Sequence, residues 1–216
     1  MIKKVYPKIL KIFFLILISS GISYGQQKVI PPEKSEPATS NRDFLKFLAR
    51  VELGLGHGQY KIDDNAINGL AVPMDVCLGI GIFPGTYIHC AFGATIMDRP
   101  TLASDKSTFD GTITMFDVGG GFTIYPSAQL KAYTSLTVYA STTAAFVDND
   151  TFNSKVGGGF NLKAGYDLML GSVFSIGVSG FFYYSFMNDQ PDDFGNQAKI
   201  NNTVVGICLT ATLGNL

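Results

Sequence analysis

From residue 70 to residue 83 the side chains alternate without a break between two kinds. Leu70, Val72, Met74, Val76, Leu78, Ile80 and Ile82 occupy one parity, and Ala71, Pro73, Asp75, Cys77, Gly79, Gly81 and Phe83 the other. A period of two is the signature of a β-strand with one oily face and one polar or small face. The same alternation recurs in Lys46–Gly58, Tyr87–Met97, Gly111–Tyr125, Leu130–Ser141, Val156–Leu168, Val173–Met187 and Asn202–Leu213, which makes eight expected strands. Polar stretches at 59–69, 98–110, 142–155 and 188–201 alternate with short turns such as Pro84-Gly85-Thr86. An even strand number with long and short connections in turn predicts an antiparallel, up-and-down sheet that closes on itself.

Alternation alone leaves open which face is outside. A soluble lipocalin-like barrel that binds a ligand has the same period with the faces exchanged. Two features favour lipid outside. The polar parity is built of Gly, Ser, Thr and Asn rather than Lys and Glu, and charged residues are only 15% of the chain, against ~25% in soluble domains. The charges that do fall within the strands, Lys46, Arg50, Glu52, Asp75, Asp117, Lys131, Lys163 and Asp167, all share the polar parity of their own strand. Arg or Lys on a lipid face at mid-depth costs roughly 2–4 kcal/mol. The expected fold is therefore an all-β, eight-stranded antiparallel up-and-down transmembrane β-barrel. Its mean hydropathy is only +0.22 because the two parities cancel.

The N-terminus reads as an export signal over residues 1–25. Lys3, Lys4, Lys8 and Lys11 precede the apolar run Ile12–Ile22, and Ser23 and Gly25 are the small residues of a cleavage site before Gln26. Residues 26–45 form a Pro-, Ser- and Glu-rich lead-in on the periplasmic side, and 46–216 form the barrel. No Cys precedes Cys77, so a lipidated cysteine at the mature N-terminus is not expected. The 17 Phe and 10 Tyr include Tyr87, Tyr125, Tyr166, Phe174, Tyr184 and Phe186 near strand ends, where aromatic girdles form at headgroup level.

The segments Phe116–Tyr125 (FDVGGGFTIY) and Gly157–Gly180 (GGGFNLKAGYDLMLGSVFSIGVSG) resemble the outer-membrane β-barrel proteins of Gram-negative bacteria. The shared pattern is a Gly-rich strand, a GYD before a short turn and an FSIGVSG-type strand. The resemblance implies residence in the cell outer membrane, contact with its lipids and lipopolysaccharide, and delivery by the barrel-assembly machinery. It also implies a terminal aromatic read by that machinery. This chain ends Gly214-Asn215-Leu216, so Leu213 or Leu216 is expected to substitute.

The residues expected to carry chemistry are those of the lumen. Four cations (Lys46, Arg50, Lys131, Lys163) face four anions (Glu52, Asp75, Asp117, Asp167), and buried charges need partners. Symmetric pairing of the fifth and sixth strands about Asn149 sets Lys131 opposite Asp167, a candidate salt bridge. Two functions follow. One is a structural or surface-interaction protein whose lumen is plugged by these side chains; the other is a narrow, porin-like channel for small solutes lined by them. Enzymatic activity is not expected, because His57 has no Ser two residues away and His89 is read as the partner of a lumen carboxylate. Cys77 and Cys90 have opposite parity and cannot bridge within one hairpin; free thiols are expected, with a Cys77–Cys208 bond only in a narrow lumen.

No cofactor or resident metal is indicated. The glycines 119–121 and 157–159 are followed by no helix and no Lys-Ser/Thr pair, so they are not phosphate loops. Asp148-Asn149-Asp150 starts like a calcium loop, but Phe152 stands where the third ligand belongs. A net charge of −1 offers no field for nucleic acid. The loops carry −1, −1, −1 and −2 over 59–69, 98–110, 142–155 and 188–201, so divalent cations bridging them to lipid phosphates, or a basic partner, are the expected ligands at the surface.

Overall fold

In the computed structural model, the described residues are 46–104, 106–108, 110–126, 131–147, 150–190 and 197–214. The expected signal (1–25), the lead-in (26–45), Asp148, Asn149 and Leu216 lie outside them. The strands are β1 (Phe47–Ile62), β2 (Asn65–Phe83), β3 (Thr86–Asp98), β4 (Thr101–Leu102), β5 (Gly111–Ile124), β6 (Ala132–Val147), β7 (Asp150–Asn153), β8 (Gly157–Met169), β9 (Phe174–Asn188) and β10 (Lys199–Gly214). Eight are long. The two short ones are loop-end additions, β4 against β2 and β7 against β6.

Every long strand pairs antiparallel with its neighbours in chain order, and β1 closes the ring by pairing with both β2 and β10. The result is a barrel with no free edge along its wall, which leaves no backbone donor row unpaired toward lipid. The β2–β3 register shifts between Gly81 and Phe83 beside the turn, and a gap in the β1–β2 ladder occurs where physics demands it. Pro73 has no N–H to give, and the β1–β2 register passes from Leu53↔Met74 to Gly56↔Ala71 without a pair between.

The faces are assigned by exposure. Val76, Leu162 and Ile207 are 37%, 49% and 63% exposed, whereas Arg50 and Lys163 are 2% and 4% exposed. The oily parity is outside and the polar parity encloses the middle, which removes the soluble, lipocalin-like alternative. Among the described residues no helix is long and apolar enough to cross a membrane, which says nothing of a barrel whose strands carry the apolar face.

Strand ends depart from expectation at the loop side. The connection expected at 59–69 is a continuation of the hairpin: β1 runs to Ile62, β2 starts at Asn65, and Asp63 turns with φ 48°. β6 likewise continues past Ser141, and β10 begins at Lys199 rather than Asn202. The physical reason is a change of solvent. Only about 9–11 residues are needed to cross the hydrocarbon, and β2 has 19. Beyond that depth the outer parity meets water, so Gln59, Lys61 and Asn68 replace Leu and Val and the segment reads as loop although the ladder persists.

Candidate functional site: the lumen

Three polar tiers fill the barrel, read from the turn end toward the loop end. In the first, Arg50 on β1 forms a 3.0 Å ion pair with Asp167 on β8. Its Nε donates to Thr212 Oγ1 at 3.0 Å, its Nη2 donates to the Tyr125 hydroxyl, and its guanidinium lies 3.9 Å over the Tyr133 ring. Asp167 also accepts from Tyr125 Oη at 2.6 Å and from Thr210 Oγ1 at 3.2 Å. Gly177 sits opposite Asp167 in the β8–β9 register, and a Cβ there would meet the carboxylate; the glycine makes room for the charge.

In the second tier, Glu52 and Asp75 are direct cross-strand partners on β1 and β2. Like charges so placed repel. Lys163 answers both, with Nζ donating to Glu52 Oε2 and, at 2.6 Å, to Asp75 Oδ2. Round the barrel β8 lies three strands from β1 and four from β2, so this lysine reaches across the interior rather than along the wall. In the third tier, Asp117 on β5 accepts from Ser141 Oγ at 2.5 Å and from Tyr183 Oη at 2.7 Å. Among the described residues it has no cationic partner.

Apolar and aromatic groups close both ends. Leu48, Tyr87, Tyr125 and Tyr133 pack at the turn end, and Tyr60, Met97, Ile113, Met187 and Ile200 at the loop end. Between the third tier and the loop-end cap, Asn202 Nδ2 donates to Ser185 Oγ at 3.1 Å and to Thr143 Oγ1 at 3.3 Å.

Several sequence expectations are corrected here. Lys131 lies outside the ladder at φ 51°, and its carbonyl accepts from the Asp167 N–H at 3.0 Å, while the Asp167 carboxylate goes to Arg50. The register about Asn149 is as expected, Ala132 opposing Tyr166, but the strand starts one residue after Lys131, which is in no ion pair among the described residues. Lys46 is exposed. The buried described residues therefore hold two cations against four carboxylates rather than equal numbers. His89 is buried as expected but partners hydroxyls, Thr137 Oγ1 at 2.9 Å and Thr123 Oγ1 at 3.3 Å, not a carboxylate.

Tyr87 and Tyr125, expected in a girdle, are inside, whereas Tyr166 and Phe186 do face outward. Tyr125 and Tyr183 are the lumen residues that sequence reasoning missed. Their parity was the available signal: Tyr183 shares that of Ser175, Ser179 and Ser185, which all point in. The three cysteines are free, Cys77 and Cys208 buried and Cys90 exposed.

An eight-stranded closed antiparallel barrel with an apolar exterior and a charged interior is the architecture of a small transmembrane β-barrel of the outer-membrane type. No protein-family model and no curated protein sequence matches the chain. Among solved structures it is similar to Neisserial surface protein A, NspA, at 11% identity and TM-score 0.49, covering 77% of this chain and 96% of that one. It is also similar to Ail of Yersinia pestis, solved with a heparin analogue (12%, TM-score 0.43, 76% and 98%), and to the outer membrane protein AlkL in lipid bilayers (10%, TM-score 0.44, 88% and 96%).

Proposed function

We propose that this chain is an integral protein of the cell outer membrane with a structural or surface-interaction role and a lumen that does not conduct. The observation that carries the reading is that Lys163 and Arg50 each tie a wall to the opposite one, between two apolar caps. Eight strands enclose a space that side chains can fill, and these fill it with bonds rather than a water path. The outer face meets lipid, lipopolysaccharide bounds the loop end, and assembly runs through the barrel-assembly machinery. No catalytic role is assigned to His57 or His89.

Planar-bilayer recording of the purified protein tests the plug. Silence is the expected result; steady single-channel openings would establish the narrow solute channel instead. That second reading draws on buried polar atoms such as Tyr139 Oη and Asn161 Oδ1, which have no hydrogen-bond partner among the described residues. The acidic loops are proposed to hold divalent cations against lipid phosphates, so chelator should lower thermal stability in lipopolysaccharide-containing membranes.

A further inference from the structure

Above the loop-end cap the barrel opens into a cavity of about 200 Å³. Tyr60, Ile62, Ile67, Ile113 and Ala145 supply apolar wall, and Asp189 supplies a carboxylate. The floor is closed, because Met97, Met187 and Ile200 are buried directly beneath. The space is thus a dead-end pocket and not the entrance of a channel. An apolar cavity of about 150 Å³ holds benzene, so this one accommodates a ring or short alkyl body with a small polar head.

The charge of that head follows from the wall. Asp189 is fixed at the rim: its N–H donates to the Ala198 carbonyl at 2.9 Å, it bridges to Ser154, and its Oδ1 accepts from the Gln190 N–H at 2.8 Å. Among the described residues it is in no ion pair. The Tyr60 ring adds a π face to which a cation is attracted.

We propose that the loop-end cavity binds a small organic cation with an apolar body, an aryl- or alkylamine, its ammonium on Asp189 and its body among Ile62, Ile67 and Ile113. This goes beyond a structural or surface role and is tested apart from the plug: a conducting barrel would overturn the closed floor but not the wall contacts, which the binding of the probes reads separately.

Three probes of one shape decide it, titrated calorimetrically into the full protein in lipid nanodiscs at neutral pH: phenethylamine, 2-phenylethanol and 3-phenylpropionate. Phenethylamine is expected to bind saturably and at least about tenfold tighter than the alcohol, a difference of roughly 1.4 kcal/mol, with no saturable binding of the acid. Asp189→Asn should reduce the amine's advantage to less than about threefold, and Ala145→Phe, which fills the cavity, should abolish binding of both. Equal binding of amine and alcohol, an advantage that survives Asp189→Asn, or no saturable binding of the amine overturns the proposal. The ranking of the probes on the unmutated protein decides it alone if either variant fails to assemble.

Discussion

Inside the apolar groups that cap both ends, the turn-side and loop-side halves of the lumen are held by different means. On the turn side, Arg50 and Lys163 reach across the interior to carboxylates on far strands, and each bond fixes a distance between walls. On the loop side, Met97, Ile113, Met187 and Ile200 close the cylinder by apolar packing, which prescribes volume rather than partners. A charge tier specifies which residues must meet, and it fails steeply when one is removed. A methionine-rich cap adapts to small changes of shape, and a pocket can sit above it without disturbing the network below.

The steepest failure should come from Lys163→Met. It leaves Glu52 and Asp75 side by side, buried and without their cation, and removal of one partner of a buried pair costs about 3–5 kcal/mol. Urea unfolding followed by heat-modifiable gel mobility should show a loss of that size. Adding Glu52→Gln and Asp75→Asn should recover most of it, since the repulsion is then gone. A loss below about 1 kcal/mol for the single variant would mean that the tier does not govern the fold, and the contrast between the two halves would collapse.

A smaller effect is expected one tier higher. Tyr183→Phe removes one of the two hydroxyls that donate to Asp117 and leaves Ser141 in place. Hydrogen bonds to a charged group contribute about 1.5–3 kcal/mol, so the same measurement should give a loss in that range and less than for Lys163→Met. Equal losses would show that Asp117 is as dependent on its partners as the ion-paired carboxylates, and that the third tier belongs with the turn-side half.

How far these features could be read in advance depended on what surrounds each strand. Where lipid lies outside and the lumen inside, the two solvents differ sharply, so the parity of Arg50, Glu52, Asp75, Lys163 and Asp167 was legible residue by residue. Beyond the hydrocarbon, water wets the outer face, the contrast fades, and Gln59–Ile62 and Asn65–Gly69 read as loop although they are paired. The cross-lumen partners were not legible at all. Alternation says that Lys163 points in, but its meeting Glu52 and Asp75 depends on which strands stand opposite after closure, and no local pattern encodes that. Tyr87 and Tyr125 were obscured differently: an aromatic near a strand end fits a girdle and a lumen equally well until closure shows which side is dry.

Lys131 gives the sharpest comparison with the network because sequence parity ranked it beside Lys163. If it paired with Asp167, truncation would strip a buried carboxylate of its cation and cost several kcal/mol. In the structure Asp167 is already held by Arg50, Tyr125 and Thr210, and Lys131 contributes only its backbone carbonyl. Alanine keeps that carbonyl and is no worse than lysine at φ 51°. Lys131→Ala should therefore shift stability by no more than about 0.5 kcal/mol, the usual range for a side chain outside the packed interior. Arg50→Ala, measured alongside, should cost at least as much as Tyr183→Phe. If the Lys131 variant instead matched the Arg50 variant, Asp167 would need both cations, and the turn-side tier would extend into the turn itself.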